Sequence, residues 1–232
     1  MIHKKEYNVL NDRPPLAFLA RIMEDVASEH AAILDLSIDR LLAQGIAWVL
    51  AKMQIEIVNN KPLTDTVTVH TWPVEVSKLQ FRRDFEVYTA SGELYARAIT
   101  QWVIVNMTSR RVEKIPDFVA ALHPHNPKYS MPESKWRIEA QLEAPHLADL
   151  FVTPADIDIN KHVNNVRYVD WVMDSVPMAF RNATALEILY RAEAVEGERL
   201  EARGQVAEEN QFQISLIRDR AELVRARITN AI

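Results

Sequence analysis

The sequence predicts a protein of the α+β class, built from two successive units that each contain one long helix and one antiparallel sheet. Apolar residues recur at helical spacing over residues 15–34 and again from Val166 onward. Each helical stretch is followed by four strand-like runs that are separated by turn residues. The same order of elements therefore occurs twice along 232 residues.

The first predicted unit opens with a short strand at residues 7–10. Its helix over 15–34 places Leu16, Leu19, Ile22 and Val26 on one face. Four strands follow, with a turn at residues 59–62 and a hairpin at Ser91-Gly92. Their predicted ranges are 48–58, 66–76, 81–88 and 94–107.

The second predicted unit repeats this order. A strand at 147–153 precedes the helix that starts at Val166, and the remaining strands are predicted at 185–195, 200–207, 212–218 and 223–229. Residues 93–100 and 222–229 both begin Glu-Leu and end Ile-Thr, at the final strand of each unit, which favours duplication. Because a helix before an antiparallel sheet must be buried against that sheet, we predict a double hotdog. A pair of unrelated α+β domains is the alternative.

Prolines interrupt the periodicity between the two units. We predict a first domain at residues 1–122, a linker at 123–145 that lies across the surface, and a second domain at 146–232. Trp136 and Ile138 within the linker are costly to leave in water, so we expect it to be partly ordered.

Composition excludes several classes of function. Hydrophobic residues make up 48% and charged residues 25%, as in an ordinary globular protein. Only four glycines are present and no glycine-rich phosphate loop occurs, while the absence of cysteine excludes disulfides and thiolate chemistry. A net charge of −5 argues against nucleic-acid binding. The N-terminus has no apolar signal region and no run is long enough to span a membrane, so we expect a cytoplasmic location.

One short segment concentrates chemically competent side chains. Asp158, Asn160 and His162 alternate along the chain just before the second helix, so an extended approach would point all three the same way. A helix N-terminus favours developing negative charge, which suits hydrolysis through an oxyanion. The alternative is an elaborate helix cap, since Asp and Asn are preferred cap residues.

The run from Asp156 to Tyr168 resembles the signature of the fatty acyl–acyl carrier protein (acyl-ACP) thioesterases of plant plastids and bacteria. The resemblance continues at residues 48–57, 65–72, 82–84 and 110–116, and so covers nearly the whole chain. No plant transit peptide is seen, so we expect a bacterial member or a mature form. The resemblance implies a double hotdog that releases free fatty acid from acyl carrier protein (ACP). It assigns the acyl chain to the N-terminal domain and the catalysis to the C-terminal one.

The resemblance also implies residue roles. The catalytic Asp, Asn and His of the family match Asp158, Asn160 and His162, and its further acid matches Glu193. Ala194 stands where plant members carry cysteine, so water must be the nucleophile if the protein is active. Our hypothesis places the water between Glu193 and His162, either of which could be the base, with Asp158 orienting His162. Backbone N–H groups of Val163 and Asn164 would face the oxyanion.

The same reasoning predicts the substrate contacts. Candidates for the acyl pocket are Ile22, Met23, Val26, Trp48 and Met53. Because carrier proteins are acidic, candidates for docking are the cations Arg82, Arg83, Arg110, Arg111 and Lys114. We expect no cofactor, no metal and no membrane insertion, and a homodimer is possible. An acyl-CoA thioesterase of the same fold and a non-catalytic acyl-binding module remain alternatives, whereas a dehydratase is disfavoured because its Gly-His-Phe-Pro signature is absent.

Overall fold

A computed structural model describes residues 2–9, 15–59, 61–63, 65–122, 124 and 128–231. The chain divides into two compact units. Unit 1 comprises Met1–Val9, Arg21–Met53 and Ile57–Glu133, and unit 2 comprises Leu10–Ala20, Gln54–Glu56 and Ser134–Ile232. Over the described part of the chain, no helix combines the length and apolar character needed to cross a bilayer.

Unit 1 is built on an antiparallel sheet in the order β1-β3-β4-β5-β2. The strands are β1 (His3–Asn8), β2 (Ile46–Ile57), β3 (Thr66–Val76), β4 (Phe81–Thr89) and β5 (Leu94–Asn106), and β6 (Val112–Glu113) pairs with β5. β4 lies in the middle, and every side chain from Phe81 to Val87 is buried. Strand β1 starts earlier than the predicted 7–10, and Leu10 lies outside the described residues.

Helix α1 (Pro15–Ile33) begins with a proline, which suits the first helical position because its missing N–H would have no partner there. It ends in a left-handed turn at Asp35 (φ 57°). The Leu36 N–H donates to the Ala31 carbonyl (2.8 Å) and the Asp35 N–H to the Ala32 carbonyl (3.1 Å), the pattern of a Schellman cap. Two short helices were not predicted, α2 (Ile38–Leu42) and α3 (Asp117–Ala120).

A buried polar cluster includes a residue from the last turn of α1. His30 is fully buried, and its Nδ1 lies 2.9 Å from Nη1 of Arg83 on β4, which also donates to Oγ1 of Thr71 (3.1 Å). Burial lowers the pKa of Arg83 to about 10, so the guanidinium stays charged at neutral pH. Burial, with the charge of Arg83, lowers the pKa of His30 to about 4, so its ring is neutral.

Acidification is therefore expected to destabilise unit 1. An unfolded histidine titrates near 6.5, so between pH 6.5 and about 4 the unfolded state binds more protons than the folded state. The free energy of unfolding should fall as pH falls through this window, by up to about 3 kcal/mol. Denaturant midpoints at pH 7.0, 5.5 and 4.5 would measure the slope. His30→Gln should have a shallower pH dependence than the unchanged protein; identical slopes would contradict the assignment.

Two of the predicted docking cations are in fact internal. Arg82 is 7% exposed, and its Nε and Nη2 donate to the two carboxylate oxygens of Asp84 at 2.7 and 2.9 Å. Arg83 is 3% exposed. The prediction that these two arginines dock a carrier protein is wrong, because β4 is covered on both faces. Ser130 covers Asp84 from one side, donating its N–H (2.7 Å) and hydroxyl (2.9 Å) to Oδ2.

Unit 2 repeats the arrangement, with strand order β8-β11-β10-β9-β7. Its elements are β7 (His146–Phe151), α4 (Asn165–Ser175), β8 (Ala185–Tyr190), β9 (Arg199–Glu208), β10 (Gln211–Arg218) and β11 (Ala221–Thr229). One face of α4 is buried through Val166, Val169, Val172 and Met173. The predicted α+β class and the double hotdog are confirmed.

The described residues of the predicted linker are ordered. Its later part crosses strands of unit 2, where the Gln141 N–H donates to Ser215 Oγ (2.9 Å) and Arg225 Nη1 donates to the Ile138 carbonyl (2.8 Å). Ile138 is buried, as its predicted cost of exposure requires. Residues 123 and 125–127 of the predicted linker lie outside the described residues.

Candidate active site

Residues 158–162 form a tight turn rather than the extended approach that we predicted. The Asp158 carboxylate accepts the backbone N–H groups of Asn160 (2.8 Å) and His162 (3.3 Å), and the Asp158 N–H donates to the His162 carbonyl (2.8 Å). Lys161 takes a left-handed conformation (φ 67°). Asp158 therefore holds the backbone of the turn, whereas we expected it to act on the His162 ring.

His162 and Glu193 are brought together by this turn. His162 Nε2 lies 3.3 Å from Glu193 Oε2, and the two side chains are 22% and 38% exposed. An imidazole and a carboxylate at this distance can pass a proton between them or to a molecule that contacts both. Asn160 lies in the same turn, with its Nδ2 3.4 Å from Asp158 Oδ2. All four predicted catalytic residues belong to unit 2.

Glu193 does not lie on a strand. We predicted a strand over 185–195, but β8 ends at Tyr190 and the chain is irregular from Arg191 to Glu198. Two arginines near it in the sequence have acidic partners: Arg191 pairs with Glu222 (3.4 Å) and Arg199 pairs with Asp149 (2.9 Å).

The two backbone donors predicted for an oxyanion are already used. The Val163 N–H donates to the Ala194 carbonyl and the Asn164 N–H to the Asp156 carbonyl, both at 2.9 Å. The prediction that these amides face an oxyanion is therefore wrong. Asn164 is the N-cap of α4, since its Oδ1 accepts the Val166 N–H (2.8 Å). The turn thus combines the helix cap with the polar cluster that we treated as alternatives.

Ala194 lies at a packing position. It is fully buried, and its N–H donates to the Tyr168 hydroxyl (2.8 Å) while its carbonyl accepts from Val163. Burial raises the pKa of Tyr168 to about 12, so the hydroxyl stays protonated at neutral pH. The side chain at position 194 therefore points into the protein interior beside a neutral phenol.

Introducing the cysteine of plant members is expected to change little. Ala194→Cys would place a thiol in a fully buried environment, where a thiolate is disfavoured. We expect turnover within about twofold of the unchanged protein. We also expect slow alkylation by iodoacetamide until the protein is unfolded. A large gain in turnover that alkylation abolishes would show that position 194 can supply a nucleophile.

Three contacts that sequence reasoning missed hold the start of α4. Arg167 donates from Nε to Asp156 Oδ1 (2.7 Å) and from Nη1 to Asp170 Oδ2 (2.6 Å). Tyr190 donates its hydroxyl to the Asn165 carbonyl (3.2 Å). Asp170 is only 6% exposed. The one available signal was the spacing of Arg167 and Asp170, which places them on the same helix face.

The other predicted positions differ in exposure. Ile22, Met23, Val26 and Met53 are buried, and Trp48 packs partly buried against Phe81 (ring centroids 5.2 Å apart). Their role in acyl binding stays a prediction. Arg110, Arg111 and Lys114 are exposed around β6. Among the described residues, no group of three or more histidine, aspartate or glutamate side chains is arranged to hold a metal ion.

A helix followed by the strands of an antiparallel sheet, an order that occurs twice along this chain, is typical of the hotdog class of proteins. Solved structures of similar fold include an acyl-ACP thioesterase from Bacteroides thetaiotaomicron (TM-score 0.85, 22% identity, covering 98% of this chain and 97% of that one). A 12:0-ACP thioesterase from Umbellularia californica is also similar (TM-score 0.86, 21% identity, covering 98% and 96%). At these identities the likeness shows the fold alone.

Sequence comparison shows the family. The acyl-ACP thioesterase N-terminal domain matches residues 5–122, and the C-terminal domain of the same family matches residues 139–229. An oleoyl-ACP thioesterase of Arabidopsis thaliana is 30% identical over 82% of this chain and 57% of its own length. A palmitoyl-ACP thioesterase of Cuphea hookeriana is 30% identical over 74% of this chain and 45% of its own length. The chain spans about half the length of these relatives. It belongs to the acyl-ACP thioesterase family.

Proposed function

We propose that this protein hydrolyses the thioester between a fatty acid and the phosphopantetheine arm of acyl carrier protein. The observation that carries the proposal is the His162–Glu193 pair, 3.3 Å apart and partly open to solvent. The turn that presents His162 is held by Asp158. Family membership and the names of the relatives support the choice of substrate.

In the proposed mechanism, water is the nucleophile. Its oxygen attacks the thioester carbonyl carbon while its proton passes to the His162–Glu193 pair. The carbonyl oxygen becomes an oxyanion, which the Asn160 side-chain amide can stabilise by donating an N–H. The C–S bond then breaks, and the pair returns the proton to the leaving sulfur, so that free fatty acid and carrier-protein thiol result. Asp158 contributes by fixing the turn, and no cofactor takes part.

The fatty tail is assigned to unit 1. Ile22, Met23, Val26, Trp48 and Met53 supply apolar surface there. Each buried methylene contributes about 0.8 kcal/mol, so a tail of eight could supply about 6 kcal/mol. One methylene more or less changes binding by only roughly 1 to 3 kcal/mol, so chain-length preference should depend on where the apolar channel ends.

The direct test measures free fatty acid released from a panel of acyl-ACP thioesters. Matched acyl-CoA substrates of the same chain lengths run in parallel. Higher kcat/KM on the carrier-linked series supports the proposal. Equal or higher values on acyl-CoA would favour the acyl-CoA thioesterase, and binding without release would favour the acyl-binding module.

Carrier-protein docking is expected to make the reaction sensitive to salt. Arg110, Arg111 and Lys114 are exposed cations that can attract an acidic partner, and added salt screens such attraction. The kcat/KM on acyl-ACP should fall between 50 and 500 mM salt more steeply than on a small acyl thioester. Arg111→Glu should reduce the difference, whereas Lys61→Glu is the matched control because Lys61 is exposed beside Glu93. Equal salt responses for the two substrates would count against docking at this site.

The remaining expectations stay predictions from the sequence. The cytoplasmic location is one of them. A homodimer stays possible because exposed edge strands can pair.

A further inference from the structure

Glu193 is placed by individual contacts rather than by a sheet. The segment from Arg191 to Glu198 joins β8 to β9 and makes no strand ladder. Its first residues are fixed where the N–H groups of Arg191 (2.8 Å) and Ala192 (3.2 Å) donate to the Leu223 carbonyl. Beyond Ala192, the direction of the Glu193 side chain depends on what holds the peptide group that joins Glu193 to Ala194.

Arg218, the last residue of β10, holds the carbonyl of this peptide group. Its Nη1 donates to the Glu193 carbonyl (3.3 Å) and to both carboxylate oxygens of Glu198 (2.8 and 2.7 Å). The Glu198 carboxylate also accepts the Val195 N–H (3.0 Å). This ion pair is half-buried, so it is less screened than a surface pair. One guanidinium thus ties together residues 193, 195 and 198.

Tyr168 holds the N–H of the same peptide group from the opposite side. Its hydroxyl accepts the Ala194 N–H at 2.8 Å, and its ring is fixed on the buried face of α4. The ring meets Trp171 and Tyr190 edge-on, with centroids 5.6 and 6.0 Å away. Because α4 also begins just after His162, the same helix orients both members of the His162–Glu193 pair.

We infer that Arg218 and Tyr168 are positioning residues that hold the Glu193 carboxylate against His162. The inference rests on the proposed function, because it concerns the geometry of the proposed proton transfer. Neither side chain needs to touch the substrate. A displacement of about 1 Å in a catalytic group can cost about a hundredfold in rate, so loosening either contact should slow the reaction. Lysine does not replace Arg218, because its Nζ ends one bond short of the position of Nη1, the atom that makes all three contacts.

The test is a double-mutant cycle on turnover of acyl-ACP. Arg218→Lys and Tyr168→Phe should each lower kcat by roughly tenfold while leaving KM within about twofold, because binding of the tail is unaffected. In a Glu193→Gln background, adding either substitution should cost less than about twofold, since the group that they position has lost its function. Thermal unfolding of every variant, with assays at least 15 °C below the lowest midpoint, separates these losses from instability.

Arg203→Lys is the matched control. The Arg203 side chain is 31% exposed, as is that of Arg218. It also pairs with one acid, Glu201 (2.9 Å), and donates to one backbone carbonyl, that of Ala144 (3.2 Å). Turnover by the Arg203→Lys variant should match that of the unchanged protein.

The outcomes separate the inference from the proposed function. Normal turnover by Arg218→Lys and Tyr168→Phe would overturn the inference alone. The inference alone would also be overturned if the loss from either substitution multiplied in full with the loss from Glu193→Gln, because the residues would then act independently. A loss in Arg203→Lys equal to that in Arg218→Lys would also overturn it, because any buried arginine would then act alike. Normal turnover of Glu193→Gln would overturn the proposed site, and the inference with it.

Discussion

Replacing Glu193 by Gln, or His162 by Ala, is expected to lower kcat by roughly 10²- to 10⁴-fold, the contribution of a positioned acid or base. The His162 Nε2 and the Glu193 Oε2 lie 3.3 Å apart, so either substitution removes one member of the pair. Gln keeps the size of Glu193 but cannot take a proton from water. KM should change little, because neither substitution alters the residues assigned to the fatty tail.

Single-turnover release of fatty acid from acyl-ACP would measure this loss directly, without a contribution from product release. Glu196→Gln is the control, because Glu196 is an exposed acid in the same irregular segment. It should retain near-normal turnover. If Glu193→Gln or His162→Ala turns over normally while folded, that residue has no part in the chemistry. The double variant should lose little more than the worse single variant, since the two residues act as a unit.

The largest expected effect on stability comes from Asp84. Its side chain has no exposed surface and accepts two hydrogen bonds from Arg82 and two from Ser130. Asp84→Ala would leave the Arg82 guanidinium buried without its counter-charge, which typically costs about 3 to 5 kcal/mol. We therefore expect a large drop in the urea midpoint, or failure to accumulate in folded form at 37 °C.

Urea unfolding of matched variants would measure this cost. Asp117→Ala is the control, since Asp117 is an almost fully exposed acid that pairs with Lys114 at the surface. It should leave the midpoint nearly unchanged. Replacing both partners, as in Arg82→Met with Asp84→Leu, should recover part of the loss because no unpaired charge remains. An Asp84→Ala midpoint equal to that of Asp117→Ala would contradict this account of the buried pair.

Sequence alone predicted the order of the long helices and the long strands in both units, because that order depends on periodicities that are local. The helical spacing of α4 and the alternation at the start of β9 follow from burial of one face. The pairing of His162 with Glu193, 31 positions apart in the sequence, required the family resemblance. No local sequence pattern indicates that these two residues meet in space.

Other features depended on contacts between residues distant in the sequence. In the sequence, Arg82 and Arg83 resemble a pair of surface charges, but they lie on β4 in the middle of the sheet. Arg82 donates to the Met131 carbonyl and Arg83 contacts His30, and both partners are distant in the sequence. The predicted strand 185–195 ran too far because Ala192 and Ala194 continue the alternation beyond Tyr190. The turn at Asp158 was missed because a carboxylate that accepts backbone N–H groups competes with extended structure, and spacing does not reveal this competition.

The Schellman cap of α1 bears on how this fold could be made more heat-resistant. Asp35 occupies the left-handed position that glycine adopts without steric cost, and its side chain is exposed. Glycine at that site would relieve backbone strain at the expense of one weak surface pair with Arg40. Asp35 belongs to unit 1 and the His162–Glu193 pair to unit 2. Thermal tolerance could thus be tuned in one domain while the chemistry of the other is left untouched.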